Sequence, residues 1–155
     1  MKTCCFTGHR IIKITPELVQ RLRDDIVDVI RKGVTDFYDG GAIGFDLLAA
    51  ETVMEMKAEY PDIKLHLLLP CPPEEQSKGW NSTQISRYEK ILNVADSLTV
   101  VSEHYMKDCM KQRNERLVEL ADYCICYCTN PRSGTGQTVR MAERKGIEII
   151  NLFSG

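Results

Sequence analysis

Residues 7–10 carry the side chains of this chain that are best suited to holding a phosphate group. They read TGHR and directly follow a short apolar stretch that predicts a buried strand. A plain turn at the end of a strand needs only the glycine, here Gly8. The flanking Thr7, His9 and Arg10 add a hydroxyl, an imidazole and a guanidinium, which can all bind an anion. We therefore predict that this turn forms one wall of a phosphate site.

Two glycine-rich loops occur later in the chain and each leads into a predicted helix. Residues 39–46 read DGGAIGFD and residues 133–138 read SGTGQT. Glycine lets backbone N–H groups approach an anion closely, and a helix N-terminus offers unpaired N–H donors. Neither loop has the pattern of a P-loop, and no G-x-G-x-x-G follows the first strand. The loops predict a phosphate-bearing ligand other than Mg-ATP in a P-loop or a conventionally bound dinucleotide.

The candidate ligand-binding residues come from these three segments and from one later predicted helix. They are Thr7, Gly8, His9, Arg10, Gly40, Gly41, Gly44, Asp46, Arg113, Asn114, Gly134, Thr135, Gly136 and Thr138. Asp46 either contacts a ribose hydroxyl or complements the dipole of a first helical turn. Arg113 is either a surface charge or reaches back over the sheet edge. Trp80, in a long loop, either stacks on a base or covers the sheet edge.

Short apolar runs alternate with amphipathic stretches along the chain, which predicts a three-layer α/β fold. Predicted strands cover residues 3–6, 36–38, 63–69, 97–101, 123–127 and 147–152. Predicted helices cover residues 16–32, 45–59, 83–94, 106–120 and 139–145. We expect one Rossmann-like domain over residues 1–155, with a mainly parallel sheet of about six strands. Ligands bind such sheets at the carboxyl ends of the strands, where the predicted loops lie.

Composition narrows the partners that we expect. The formal net charge of the 155 residues is −2, whereas a nucleic-acid-binding domain is usually basic. No apolar run is long enough to span a membrane, and no signal peptide precedes the first strand, so we expect a cytoplasmic protein. The seven cysteines lack metal-ligand spacing, so no metal is predicted. Cys124, Cys126 and Cys128 alternate, which favours packing on one face of a strand.

Four motifs in order resemble the YpsA-like branch of the SLOG superfamily, the Rossmann-like group that joins the DprA/Smf and LOG proteins. They are CCFTGHR, DGGAIGFD, MKQRNERLVELAD and SGTGQTVR, and they extend over most of the chain. The resemblance implies a domain that binds nucleotides or nucleotide-derived ligands, with the glycine loops on phosphate. LOG enzymes cleave the N-glycosidic bond of nucleoside monophosphates with an arginine and a glutamate. The arginine carries over to Arg113, but Gly136, Gln137 and Thr138 stand where the glutamate belongs.

Three functional hypotheses follow, and the first is our leading one. The chain binds a nucleotide or nucleotide-derived small molecule as a sensor or regulator. Alternatively, it is a nucleoside-monophosphate glycosidic hydrolase in which Asp46 or Glu103 replaces the missing glutamate and acts with Arg113. A third hypothesis is a DprA-like accessory protein that binds single-stranded DNA, which the acidic charge balance disfavours. The ligand's identity, its turnover, the cellular pathway and the oligomeric state, including a homo-oligomer, stay open at this point.

Overall fold

The structure is a computed structural model that describes residues 2–154, which form six strands and six α-helices. The strands are β1 Lys2–Gly8, β2 Val34–Asp39, β3 Lys64–Leu69, β4 Ser97–Val100, β5 Tyr123–Tyr127 and β6 Glu148–Asn151. The helices are α1 Pro16–Arg31, α2 Phe45–Met56, α3 Pro73–Gln76, α4 Ser82–Val94, α5 Cys109–Leu120 and α6 Gly134–Lys145, and a 3-10 turn covers Leu152–Ser154. The predicted Rossmann-like α/β class is confirmed.

All strand pairs are parallel, and the sheet has the order β4-β3-β2-β1-β5-β6. From β1 the chain adds β2, β3 and β4 on one side and later places β5 and β6 on the other side. The order therefore reverses between β1 and β5, and the loops that leave these two strands diverge. A crevice opens at such a point, and it is where parallel sheets bind their ligands.

Alternate residues of β1 face opposite helical layers. Phe6 packs into the larger core with apolar residues of α1, α2 and α4. Cys5 faces the other way and packs with Cys124, Cys126 and residues of α5 and α6. Both cysteines of β5 are fully buried free thiols, and Cys128 packs at the edge of the same cluster. The alternating cysteines therefore act as small apolar residues beneath α5 and α6.

Helix starts follow local capping rules. The Thr15 side chain accepts a hydrogen bond from the Leu18 N–H at 3.1 Å, and Pro16 occupies the first turn, as the sequence predicts. At α6 the Ser133 hydroxyl accepts from the Gly136 N–H at 3.0 Å. The predicted start of this helix at residue 139 was wrong, because Ser133 caps a helix whose first turn consists of the glycine-rich segment.

Other differences from the predicted elements are local. Helix α5 begins at Cys109 rather than at residue 106, and the long loop before α4 contains the short helix α3. No helix within residues 2–154 has the length and apolarity that a membrane crossing requires.

The turn after β1 lies directly on the N-terminus of α2. The Phe45 N–H donates to the His9 carbonyl at 3.1 Å, and Gly44 has a φ of +80°. A Cβ atom at Gly44 would overlap the Arg10 carbonyl, and one at Gly8 would overlap the Phe45 side chain. These two glycines let the first and second motifs come into contact.

We predict that Gly44→Ala lowers the free energy of unfolding by about 2 kcal/mol or more, because it combines a positive φ with a backbone overlap. Gly134→Ala is the matched comparison, since no atom lies within 4 Å of a Cβ built there. We expect it to change the stability by less than about 1 kcal/mol. Urea unfolding of both variants measures the difference, and equal effects would contradict this packing role for Gly44.

Candidate functional site

The predicted site residues meet at the carboxyl ends of β1 and β5, around a cavity of about 270 Å³. Those that line it are Thr7, Gly8, His9, Arg10, Asp46, Arg113, Asn114, Gly134 and Thr135. The first, second and last motifs and helix α5 therefore contribute to one site. The predicted residues outside the lining are Gly40, Gly41, Gly44, Gly136, Thr138 and Glu103.

The TGHR turn forms one wall of the cavity, and its four residues have different roles. Thr7 is buried at the end of β1, and the His9 N–H donates to the Tyr127 carbonyl at 3.3 Å. The His9 ring accepts at Nε2 from the Thr129 N–H at 2.8 Å, which leaves Nδ1 to carry the proton of the neutral ring. His9 thus joins the loops after β1 and β5. Arg10 is exposed at the rim, with Nη2 3.9 Å from the Met110 sulfur.

The N-terminus of α6 also lines the cavity. Within residues 2–154, the N–H groups of Gly134 and Thr135 donate no hydrogen bond. A helix of 12 residues presents free donors and the positive end of its dipole there. Gly136 and Thr138 have structural roles, since Gly136 lies against the Pro131 carbonyl and the Thr138 hydroxyl donates to the Gly134 carbonyl at 3.1 Å.

Three ionisable side chains are buried at the floor of the site. Asp39 is 0% exposed, and Asp46 and Arg113 are each 5% exposed. Arg113 donates from Nη1 to the Gly40 carbonyl at 2.5 Å and from Nε to Asn114 Oδ1 at 2.8 Å. Its long side chain therefore crosses the sheet edge and is no surface charge, which settles the alternative that the sequence left open.

The two carboxylates are incompletely hydrogen-bonded. Asp39 Oδ1 accepts from the Gly41 N–H at 2.8 Å, and Asp46 Oδ2 accepts from the Ala42 N–H at 3.3 Å. The other oxygen of each, Oδ2 of Asp39 and Oδ1 of Asp46, has no hydrogen-bond partner within the described part of the chain. An unpartnered buried acceptor is costly, and only Asp46 of the two lines the cavity.

Burial determines how the carboxyl groups of Asp39 and Asp46 ionise. It raises the pKa of Asp46 to about 6, while the positive charges of Arg113 and Arg10 and the Ala42 N–H act in the opposite direction. Burial and repulsion by Asp46 raise the pKa of Asp39 well above its usual value. Two adjacent buried carboxyls resist joint ionisation, so Asp39 keeps its proton when Asp46 ionises. One carboxylate then balances the charge of Arg113.

Gly40 and Gly41 of the DGGAIGFD motif contact the buried side chains of Arg113 and Asp39, respectively. A Cβ atom at Gly40 would overlap the Arg113 guanidinium, and Gly41 has a φ of +71° with its N–H on Asp39. The Gly40 carbonyl also accepts from Gln76 Nε2 at 3.1 Å. Neither glycine lines the cavity, and Gly40 holds Arg113 in place. A contact of these glycines with the ligand stays a prediction.

Several residues that line the cavity were not identified from the sequence, nor was Asp39, which is buried next to it. Ser133 was recognisable as the N-cap, because a serine directly precedes a glycine-rich helix start. Met110 and Leu117 line the cavity from the α5 face that carries Arg113, at three and four residues from it. Asp39 carries no local signal of burial. Within residues 2–154, no group of three or more His, Cys, Asp or Glu side chains is arranged to hold a metal ion.

We predict that Asp46→Asn changes how stability depends on pH. The carboxyl group binds its proton more tightly in the folded than in the unfolded chain, so its contribution to stability falls as pH rises from about 4 to about 6. The Asp46→Asn variant does not undergo this loss of stability, which is on the order of 2–3 kcal/mol. The melting temperature of the variant, relative to wild type, is therefore expected to rise by several degrees between pH 4.5 and pH 7.5.

Asp62→Asn, at an exposed position, is the matched control for the removal of a carboxylate. The decisive quantity is the change with pH of the difference between variant and wild type. A difference that stays constant from pH 4.5 to pH 7.5 would show that Asp46 has an ordinary pKa.

Solved structures of similar fold come from DNA processing protein A. The protein from Helicobacter pylori, which binds single-stranded DNA, aligns with a TM-score of 0.67 at 20% identity over 96% of this chain and 63% of its own. The protein from Streptococcus pneumoniae aligns with a TM-score of 0.66 at 14% identity, over 96% of this chain and 49% of its own. This chain thus spans only part of their length, and at these identities the likeness shows the fold alone.

Closer relatives in sequence come from Bacillus. The chain is 29% identical over 135 residues to a UPF0398 protein of Bacillus thuringiensis (strain Al Hakam), covering 86% of this chain and 72% of that relative. A UPF0398 protein of Bacillus anthracis (strain A0248) is 29% identical over 139 residues, covering 83% and 74%. The sequence profile of the YpsA family, described as the YspA SLOG family, matches residues 8–149. The chain therefore belongs to the YpsA SLOG family.

Proposed function

We propose that this protein binds a nucleotide or nucleotide-derived small molecule in the cavity between β1 and β5, as a sensor or regulator. One observation carries the proposal: the free N–H groups of Gly134 and Thr135 and the carboxyl group of Asp46 belong to residues that line the same small cavity. Free donors attract an anion, and a carboxylate accepts a hydrogen bond from a hydroxyl. A sugar phosphate has both groups.

The charges around the cavity support one placement of the phosphate and the ribose of the ligand. Arg10 and Arg113 line the cavity together with the positive end of α6, against the single lining carboxylate of Asp46. The phosphate is placed at Gly134 and Thr135, where it meets free backbone donors at the positive end of α6. The ribose hydroxyls are placed at Asp46, where one of them donates to the carboxylate.

Thermal-shift titration with AMP, GMP, CMP, UMP and ribose 5-phosphate tests binding directly. A ligand at about 100 times its dissociation constant adds about 2.7 kcal/mol to stability. For a domain of this size that is roughly 5–10 °C in melting temperature. We expect Gly134→Val to abolish the shift, because the new side chain projects into the space beside the free N–H groups, where a Cβ atom meets nothing within 4 Å.

Ser82→Val is the matched control, since Ser82 is the exposed first residue of helix α4 and lies outside this cavity. It is expected to melt and to bind as wild type does. No shift with any of the five compounds, or equal shifts for Gly134→Val and wild type, would contradict the proposal.

Single-stranded DNA completes the panel, because the Helicobacter pylori protein of similar fold binds it. DNA binding through backbone phosphates weakens steeply with added salt. A DNA oligonucleotide that binds more tightly than any nucleotide, with such a salt dependence, would favour the DNA-binding alternative.

A glycosidic hydrolase is the second candidate function, and the position of Asp46 favours it. Asp46 is the only Asp or Glu among the described lining residues, so it is the one carboxylate able to stabilise an oxocarbenium-like transition state there. Glu103 is exposed and lies outside the lining. Residues 136–138 place no carboxylate at the position that LOG enzymes use.

If this activity is present, wild-type protein releases free base from a nucleoside monophosphate that it binds. We then expect Asp46→Asn to lower the turnover number at least 100-fold while the dissociation constant changes by less than about 10-fold. Glu103→Gln is the control, with unchanged turnover. Chromatographic detection of the free base measures the rate, and binding without any base release would restrict the function to sensing.

A further inference from the structure

A second cavity adjoins the proposed phosphate site. It has a volume of about 420 Å³ and is lined by side chains that include Glu75, Lys78, Trp80 and Tyr105. It shares Arg10 and Met110 with the first cavity, and these two side chains contact each other at 3.9 Å. The two cavities are therefore neighbours, and the Arg10 and Met110 side chains border both of them.

Trp80 is held in place within this second cavity. Its ring packs edge-on against Tyr88, with the centroids 4.9 Å apart and an interplanar angle of 66°. The Tyr88 hydroxyl donates to Gln76 Oε1 at 2.5 Å, and Gln76 Nε2 donates to the Gly40 carbonyl. Arg113 donates to that same carbonyl. A continuous chain of contacts thus ties the indole to the floor of the first cavity.

The rest of the second cavity combines an exposed aromatic ring with polar groups. Tyr105 is 59% exposed, and its N–H donates to Glu75 Oε1 at 2.9 Å. Lys78 adds an ammonium group at the rim. Aromatic walls with a carboxylate and an ammonium group suit a flat heterocycle, which stacks on the rings and forms hydrogen bonds at its edge.

The size of the first cavity also indicates that the ligand extends beyond it. The first, at about 270 Å³, lies just below the range of roughly 300–1,000 Å³ that small-molecule sites usually have. It provides the donors and the acceptor that a sugar phosphate needs, but its only aromatic lining groups are Phe6 of the buried core and the His9 ring fixed to Thr129. The second cavity, which meets the first at Arg10 and Met110, offers Trp80 and Tyr105 as stacking partners for a nucleobase.

We propose that the second cavity is the nucleobase subsite of the ligand whose ribose phosphate occupies the first cavity. This inference rests on the proposed function and adds the orientation of the ligand. The phosphate lies at α6, the sugar lies beside Asp46, and the base passes Arg10 to stack on Trp80 and Tyr105. Of the two roles that the sequence left open for Trp80, base stacking is thereby chosen.

Trp80 is the one tryptophan in the sequence, so its fluorescence reports on this cavity alone. We expect AMP to quench the fluorescence of Trp80 with the dissociation constant found by thermal shift. Ribose 5-phosphate is expected to raise the melting temperature without quenching, because it has no base to reach the indole. The other nucleoside monophosphates identify the preferred base by the same signal.

Tyr105→Leu removes one stacking wall and keeps the fluorophore. Its exposed position predicts an unchanged melting temperature without ligand. We expect the affinity for AMP to fall about 10-fold and the affinity for ribose 5-phosphate to stay the same. Trp80→Leu is a second variant with the same expected pattern, although its contact with Tyr88 means that its fold must be checked first.

The outcomes separate this inference from the proposed function. If AMP raises the melting temperature but leaves Trp80 fluorescence unchanged, and if Tyr105→Leu binds AMP as wild type does, the base lies elsewhere and the inference is wrong while the proposed function stands. If neither AMP, the other nucleoside monophosphates nor ribose 5-phosphate raises the melting temperature, both are wrong.

Discussion

The buried guanidinium of Arg113 is the interaction on which the site depends. A charge that is 95% removed from solvent needs nearby acceptors and a compensating negative charge, and the loop after β2 and the first turn of α2 supply them. The Gly40 carbonyl accepts directly from it, and Asp46 provides the charge. Removal of the arginine would leave these groups buried without their partner. Arg113 is therefore a support of the site as well as a cation within it.

Glycine has two distinct roles in this site, and only the structure separates them. Gly8, Gly40 and Gly44 are required because a side chain would overlap Phe45, Arg113 or the Arg10 backbone. A Cβ atom at Gly134 would meet nothing within 4 Å, so the lack of a side chain leaves space at the helix terminus for a bound group. The first role brings loops into contact, and the second makes backbone donors accessible.

The sequence was a good guide to the elements and a partial guide to the site. Alternation of apolar runs predicted all six strands, and Thr15 with Pro16 predicted the start of α1. Four motifs predicted the family that the profile match shows. The start of α6 was missed because glycines weaken local helix propensity, whereas a cap at Ser133 and close packing on the Pro131 carbonyl stabilise the helix there.

Several predicted site residues do not line the cavity, and the reason is tertiary packing. A glycine in a glycine-rich loop looks the same in the sequence whether it approaches a ligand, as Gly134 is proposed to do, or a buried side chain, as Gly40 does. Asp39 is buried next to a loop that the Arg113 side chain of α5 reaches, whereas Glu103 is exposed in the segment before that helix. No pattern within one segment carries this information, because it arises from the packing of segments far apart in the chain.

The charge of Asp46 also constrains how a ligand can lie. A phosphate next to this carboxylate would repel it and raise its pKa further, so the proposed phosphate position is at the N-terminus of α6, where Gly134 and Thr135 offer backbone donors. The group that faces Asp46 must instead donate a hydrogen bond, as a sugar hydroxyl does. With both ends of a sugar phosphate assigned in this way, the open route for a substituent on the sugar leads past Arg10 and Met110 toward Trp80. The electrostatics of one buried carboxylate and the position of one tryptophan thus favour the same orientation of the ligand.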